Sequence, residues 1–226
     1  MGASSGETLG ARYRRLFETG TSTDRLVFFS DAVFAIALTL LVIDIRVPLD
    51  VGGGSAEVLV DALPSIYAYA LSFYVIAVNW MGHHRKFAHI KSYDARLIAL
   101  NFLLLFVIAF VPFPTSMLAE YPAEVTSVVL YAGVVAMLSL LQALTWGYAF
   151  RRGLVDRSVD VTLYRYMRRN VLSVPVVFLL SILIAVLWDP LIAMWSWVLL
   201  FPVQQFMARF RAKSTDLVPS PSKPAA

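Results

Sequence analysis

The sequence predicts an all-α polytopic membrane protein with six transmembrane helices per subunit. Of its 226 residues, 59% are hydrophobic and 15% are charged, and the mean hydropathy is +0.71. A soluble domain carries about 25% charged residues, so this chain has too little polar surface to cover a globule in water. Six apolar segments also have the length of about 17–25 residues that one crossing of a bilayer requires.

The six predicted spans follow one another with short connections. The fifth span ends at the sequence Trp-Asp-Pro. Pro190 suits the first turn of a helix and Asp189 suits the capping position before it, so we expect the fifth and sixth spans to form a tight hairpin. The predicted spans are residues 26–46, 60–81, 97–118, 125–149, 171–188 and 191–208.

The positive charge is concentrated on one side of these spans. Of the 19 Lys and Arg residues, all except Arg46 lie on the side that also contains both termini. The positive-inside rule therefore predicts a multi-pass protein of the cell membrane with cytoplasmic termini. The pI of about 9.4 is then a consequence of topology, and we expect the lipid bilayer, not nucleic acid, as a partner.

This topology divides the chain into three parts. Residues 1–24 are predicted to be a cytoplasmic N-terminal segment, residues 25–210 the six-helix transmembrane domain, and residues 211–226 a disordered cytoplasmic tail rich in Pro and Ser. The sequence contains neither Gly-x-Ser-x-Gly nor His-Glu-x-x-His nor a phosphate-binding glycine loop, so we do not expect an enzyme. It also contains no Cys, which excludes disulfides and thiolate metal sites.

Polar residues lie at the cytoplasmic end of the first span, where Arg25 precedes Ser30 and Asp31. Ionisable groups in spans are costly and usually face protein or water. The second span returns towards the cytoplasm and ends with the polar residues 79–84. Its end therefore lies level with the start of the first span, and its indole or imidazole N–H groups can donate to the Asp31 carboxylate.

Three residues of the second span are candidates for this contact: Trp80, His83 and His84. One interpretation is a polar lock that orients the first helix or couples a gate to protonation. The alternative is a set of interfacial anchors, with Trp at the headgroups and His in water. A metal site is not expected, because adjacent histidines project about 100° apart on a helix and no third ligand is evident.

The middle of the first span is apolar and periodic. Thr39 lies beside a stripe with the spacing i, i+4 and i+7, formed by Ile36, Leu40 and Ile43. The stripe either packs against other helices or, around an oligomer axis, forms aliphatic rings that narrow a pore. Asp44 and Arg46 follow at the external end and fit a solvated rim or pore mouth.

A resemblance to a known family bears on these alternatives. The pattern Arg-x-x-x-Phe-Ser-Asp at Arg25, Phe29, Ser30 and Asp31, with its apolar sequel, closely resembles the bacterial members of the lysosomal potassium channel family, the transmembrane protein 175 family. Residues 80–94 and 101–118 are similar to the same family. The resemblance covers the first three spans, whereas the last three match in number and hydropathy.

The resemblance implies a homotetramer in which the first helix of each subunit lines a central pore. It implies passive conduction of potassium and other monovalent cations, with potassium preferred over sodium, with no cofactor and without a Thr-Val-Gly-Tyr-Gly carbonyl filter. The constriction then falls on Ile36, Leu40 and Ile43, and the selectivity position on Thr39. The implied bracing network contains Arg25, Phe29, Ser30, Asp31, Trp80 and a histidine of the pair His83 and His84.

Two other functions stay open on the sequence alone. An ion-coupled secondary transporter should show repeats, broken helices and polar residues at the midplane of the membrane. Pro112 and Pro114 can break the third span, but they lie near its external end, and the midplane of every span is apolar apart from hydroxyl and amide side chains. A non-conducting membrane scaffold is the other alternative.

Overall fold

The computed structural model describes residues 19–20, 23–43, 45 and 54–197, without the side chains of residues 19–20, 166 and 169–173. Over these residues the chain is mostly helical. The helices are α1 (Asp24–Ile43), α2 (Ser55–Asp61), α3 (Leu63–Phe87), α4 (Ala95–Phe110), α5 (Pro112–Glu120), α6 (Val125–Arg151), α7 (Val161–Leu187) and α8 (Pro190–Ser196). Two short strands, β1 (Thr19–Gly20) and β2 (Tyr93–Asp94), pair antiparallel.

Four of the described stretches are long and apolar enough to cross a membrane: α1, α3, α4 together with α5, and α6. These helices confirm the all-α membrane fold that composition predicts. The Val174–Leu187 part of α7 is also apolar but shorter. It coincides with the predicted fifth span, whereas most of the predicted sixth span, residues 191–208, lies outside the described residues.

The predicted third span is divided into two helices. Pro112 and Pro114 have no backbone N–H, so the carbonyl groups four residues before them lose their helical partners. The amide of Val111 instead donates to the Ile108 carbonyl over 3.2 Å. Helix α4 therefore ends at Phe110 and α5 begins at Pro112, close to the external end that the sequence indicates for this break.

The hairpin between α7 and α8 has the cap that the sequence predicts. The Asp189 carboxylate accepts hydrogen bonds from the amides of Leu191, at 2.7 Å, and Ile192, at 3.2 Å. The hairpin packs on α6 through aromatic rings, with 5.2 Å between the ring centres of Tyr131 and Trp197. The prediction of a tight turn with Pro190 in the first turn of a helix is thus confirmed.

Helix α1 packs on its own subunit along one face. The buried residues of that face are Ser30, Phe34, Ala37 and Leu41. The apolar residues among them belong to a core shared with α3, α4 and α6, which includes Ile76, Leu104 and Leu138. This packing leaves the opposite face of α1 uncovered within the subunit.

Two loops join at the end of the molecule where α1 begins. The loop after α3 and the loop after α6 form a β-bridge between Ile90 and Val155. The Lys91 amide donates to the Leu154 carbonyl over 2.9 Å, and the Asp156 amide donates to the His89 carbonyl over 2.8 Å. These backbone bonds hold the ends of α3 and α6 together.

Candidate functional site

The candidate site begins with the uncovered face of α1. We define the outer stripe of α1 as Ile36, Thr39, Leu40 and Ile43, all of which are exposed in the single subunit. The Ile36 side chain is 57% exposed, although the whole helix is apolar. Side chains on a helix repeat every 3.6 residues, so residues that share one face can be buried while those on the opposite face stay exposed. The predicted stripe lies on the face of α1 that does not pack against the rest of the chain.

Thr39 is the hydroxyl-bearing residue of the outer stripe. Its Oγ1 donates a hydrogen bond of 2.8 Å to the Ile36 carbonyl oxygen. The hydroxyl proton is therefore used within the helix, whereas the lone pairs of the same oxygen stay available as acceptors. Thr39 therefore presents a hydrogen-bond acceptor oxygen on an otherwise aliphatic surface.

The Asp31 carboxylate is bound by the second long helix. The Trp80 indole Nε1 on α3 donates to Asp31 Oδ1 over 2.8 Å, and the His84 ring lies 5.6 Å from the Trp80 ring. Phe29 makes an edge-on contact with Phe102 of α4, with ring centres 5.5 Å apart. The cytoplasmic end predicted for α1 is thus attached to both α3 and α4.

A second, largely buried set of hydrogen bonds lies beside this pair. The Ser30 hydroxyl donates to the Leu26 carbonyl over 2.8 Å and accepts from Asn101 Nδ2 over 2.9 Å. Asn101 Oδ1 lies 2.9 Å from His83 Nε2. Because an amide oxygen only accepts, this geometry makes His83 Nε2 the donor, and one chain of bonds connects α1, α4 and α3.

The His83 ring is enclosed by aromatic side chains. It stacks on Phe87, with ring centres 4.2 Å apart, and lies 5.4 Å from the Phe34 ring of α1. Its Nδ1 has no hydrogen-bond partner among the described residues. Of the two predicted histidines, His83 therefore belongs to the buried chain and His84 contacts Trp80. Arg25 is exposed and takes no part in these hydrogen bonds.

A third polar contact connects α3 to α6. Lys86 is buried and its Nζ donates to Gln142 Oε1. Gln142 Nε2 in turn donates to the Asn79 carbonyl oxygen over 2.7 Å. The contact fixes the end of α3 that carries Trp80 and His83.

The sequence predictions did not include Asn101, Lys86 or Gln142. Asn101 and Gln142 are single amides within apolar spans, and such residues commonly form hydrogen bonds between membrane helices. Lys86 lay beyond the predicted end of the second span at residue 81, whereas α3 continues to Phe87. The predicted pore-mouth residues Asp44 and Arg46 lie outside the described residues.

Comparisons with known proteins agree on one family. Residues 25–112 match the family described as endosomal/lysosomal potassium channel TMEM175. A potassium channel of Streptomyces collinus is 43% identical over 150 residues, which cover 64% of this chain and 73% of the relative. A potassium channel of Chamaesiphon minutus is 38% identical over 135 residues, covering 57% of this chain and 66% of the relative.

The fold is similar to a solved structure of the same kind. The crystal structure of a lysosomal potassium-selective channel TMEM175 homologue from Chamaesiphon minutus has a TM-score of 0.67 and 29% sequence identity. The similarity covers 84% of this chain and 97% of the solved chain. The chain therefore belongs to the TMEM175 family of endosomal/lysosomal potassium channels.

Proposed function

We propose that this chain is the subunit of a homotetrameric cation channel that conducts potassium passively and in preference to sodium. Each subunit would contribute six spans, and α1 would line a central pore. The observation that carries the proposal is the outer stripe of α1, which is apolar, exposed and opposite the packed face. The Streptomyces relative is named a potassium channel, and the Chamaesiphon neighbour is described as a potassium-selective channel homologue.

The outer stripe has the composition of a hydrophobic constriction. On a four-fold axis, each of Ile36, Leu40 and Ile43 would form a ring of four aliphatic side chains. The three rings would be spaced by about one helical turn, or roughly 5 Å. A narrow aliphatic pore resists filling with water, so its diameter and wetting control conduction.

Thr39 supplies the polar group that such a pore requires. An ion that loses part of its hydration shell between aliphatic rings has few compensating ligands. The Thr39 oxygen lies beside the Ile36 and Leu40 levels and has lone pairs available, because its proton is donated to the Ile36 carbonyl. We therefore assign the preference between potassium and sodium to Thr39.

The contacts at the cytoplasmic end hold α1 in place for this role. A functional side chain keeps its position when the element that carries it is fixed by packing and hydrogen bonds. Asp31 is bound to Trp80, and Ser30 is connected through Asn101 to His83. We expect the contacts of Arg25, which is exposed in the single subunit, to come from neighbouring subunits.

The remaining parts of the proposal concern topology. The distribution of Lys and Arg supports a cell-membrane protein with cytoplasmic termini. Asp44 and Arg46 would then lie at the external mouth of the pore, and residues 211–226 would form a cytoplasmic tail.

Flux measurements in liposomes test the proposal. Purified protein is reconstituted into liposomes that contain potassium. Potassium release is followed first with sodium outside the liposomes and then with the large cation N-methyl-D-glucamine outside. We expect potassium efflux that needs no coupling ion, and protein-free liposomes are the control. Strict dependence on a coupling ion would support a transporter instead, and tetramers without flux would support a scaffold.

A further inference from the structure

Helix α7 also has an exposed face, and its chemistry changes along the helix. We define the α7 stripe as the exposed residues Val176, Leu179, Leu180, Leu183, Val186 and Leu187. Arg165 and Arg168 are exposed as well. Arg165 lies eleven residues before Val176, and Arg168 lies eleven residues before Leu179. Eleven residues are about three helical turns. The two arginines therefore extend the α7 stripe towards the start of the helix.

The two ends of this face are separated by about the thickness of a bilayer, although its apolar part, Val174–Leu187, is shorter than one crossing. Trp188, which is 85% exposed, follows the apolar end of the stripe. Arg168 lies twenty residues before Trp188, which corresponds to about 30 Å along a helix and to the thickness of the hydrocarbon core. Trp and Arg are the residue types that membrane helices place at the two interfaces. A stripe of this composition is typical of a lipid-facing surface, and on such a surface the arginines would lie at the headgroup level.

Arg168 is oriented by a rigid aromatic group. Its guanidinium carbon lies 5.6 Å from the centre of the Tyr164 ring, and Nη1 donates to the Tyr164 hydroxyl over 3.4 Å. Tyr164 is buried and stacks on Phe150 with ring centres 4.1 Å apart. These contacts orient the guanidinium before any ligand arrives, which lowers the entropy cost of binding.

Asp160, the acidic residue that precedes the two arginines on this part of the chain, already caps the helix. The carboxylate of Asp160 accepts from the Leu163 amide over 2.7 Å and caps α7. Its carboxylate thus serves the helix terminus, while the two guanidinium groups remain exposed five and eight residues further along the chain. A guanidinium fork matches the oxygen geometry of a phosphate.

We propose that Arg165 and Arg168 form a binding site for the phosphate of an anionic phospholipid. The occupant is a lipid because the site lies on the same helix face as the apolar α7 stripe, along which the acyl chains of that lipid would lie. An anionic headgroup is favoured because its net charge complements two cations with no carboxylate between them. This site is independent of ion conduction by α1.

Lipid titration of the purified full-length protein tests this site. Thermal unfolding in detergent is followed while phosphatidylglycerol, phosphatidylcholine with the same acyl chains, or free glycerol phosphate is added, because a ligand of the folded state raises the Tm with its concentration. We expect phosphatidylglycerol to act at the lowest concentration. In the double variant Arg165→Gln and Arg168→Gln its apparent affinity should fall about 30-fold, at about 1 kcal/mol for each basic residue near an anionic surface.

A matched variant separates the site from general charge. Arg151→Gln with Arg152→Gln removes the same charge from exposed positions at the end of α6 and should leave the phosphatidylglycerol affinity within about twofold. Equal losses in both double variants would overturn the proposal. So would equal stabilisation by free glycerol phosphate, which would indicate a site for soluble anions.

Single variants keep the test informative if the double variant does not fold. Arg168→Lys keeps the charge but lacks the fork, and Tyr164→Phe removes only the hydroxyl that orients Arg168. Each should weaken phosphatidylglycerol binding about threefold, the effect of losing one modest hydrogen bond. Unchanged affinity in both variants would overturn the oriented site.

Discussion

Helices α1 and α7 each present an exposed apolar stripe, and the two stripes differ in composition. Ile36 on α1 and Leu183 on α7 are almost equally exposed, at 57% and 55%. The α7 stripe consists of large aliphatic residues and ends in Trp188 and two arginines. The exposed face of α1 contains Thr39 and also the small residues Ala32 and Ala35.

This difference indicates two different surroundings. Large aliphatic side chains between interfacial Trp and Arg are typical of a surface in contact with lipid. Small and hydroxyl-bearing residues allow helices to approach one another and are typical of contacts between membrane helices. Exposure in the chain alone therefore does not distinguish the two stripes, whereas exposure together with composition does.

The largest expected effect comes from placing an asparagine in the outer stripe of α1, and the same substitution in the α7 stripe is its control. Ile36→Asn places an amide in the proposed constriction, where it should help water to enter. A barrier lowered by about 1.4 kcal/mol would raise potassium flux about tenfold and weaken discrimination between cations. Liposome flux and reversal potentials measure both quantities.

Leu183→Asn is the matched control on α7. Because its side chain would face lipid, it should leave flux for each folded channel and selectivity unchanged while lowering the Tm. If Leu183→Asn changed selectivity and Ile36→Asn did not, the pore-lining face would have to be assigned to α7 and the lipid-facing surface to α1.

A smaller effect is expected from two buried serines. Ser30 on α1 and Ser181 on α7 both donate to a carbonyl of their own helix, at 2.8 and 2.7 Å, but Ser30 also accepts from Asn101. Ser30→Ala leaves an Asn101 N–H buried without this partner and should cost about 1–2 kcal/mol of stability. Ser181→Ala should cost about 0.5 kcal/mol or less. Thermal unfolding of both variants gives the comparison, and equal costs would show that the hydrogen bond to Asn101 contributes nothing.

The smallest expected effect concerns Thr39. Thr39→Ala removes the hydroxyl oxygen from the outer stripe and should lower the preference for potassium over sodium about threefold, with tetramers retained, because one modest ligand interaction is lost. Thr39→Ser keeps the oxygen and should keep the preference. Bi-ionic reversal potentials measure both variants. Unaltered selectivity in Thr39→Ala would make Thr39 a packing residue.

Some of the site could be predicted because it depends on depth in the membrane. Two antiparallel spans place the start of one level with the end of the other, which brings Asp31 near Trp80 without any knowledge of side-chain packing. The structure places their hydrogen-bonding atoms 2.8 Å apart. Likewise, the cap at Asp189 depends on local geometry alone, and the sequence predicts it correctly.

Other features depend on tertiary packing and could not be predicted in this way. The polar residues after position 81 indicate the end of a span, yet α3 continues to Phe87 because His83, Lys86 and Phe87 are buried against neighbouring helices. The arginines before position 171 similarly indicate a loop, yet α7 begins at Val161. There Tyr164 stacks on Phe150 and supports the helix.

The hydrogen bond from Thr39 to the Ile36 carbonyl bears on whether the Thr39 oxygen favours a cation or an anion. A free hydroxyl can turn its proton towards an anion or its lone pairs towards a cation. The Thr39 hydroxyl has lost this choice, since its only proton points back into the helix. A chloride ion at this position would face lone pairs of the same sign as its own charge. In the proposed pore, the helix backbone would thus give an uncharged side chain a preference for cations over anions.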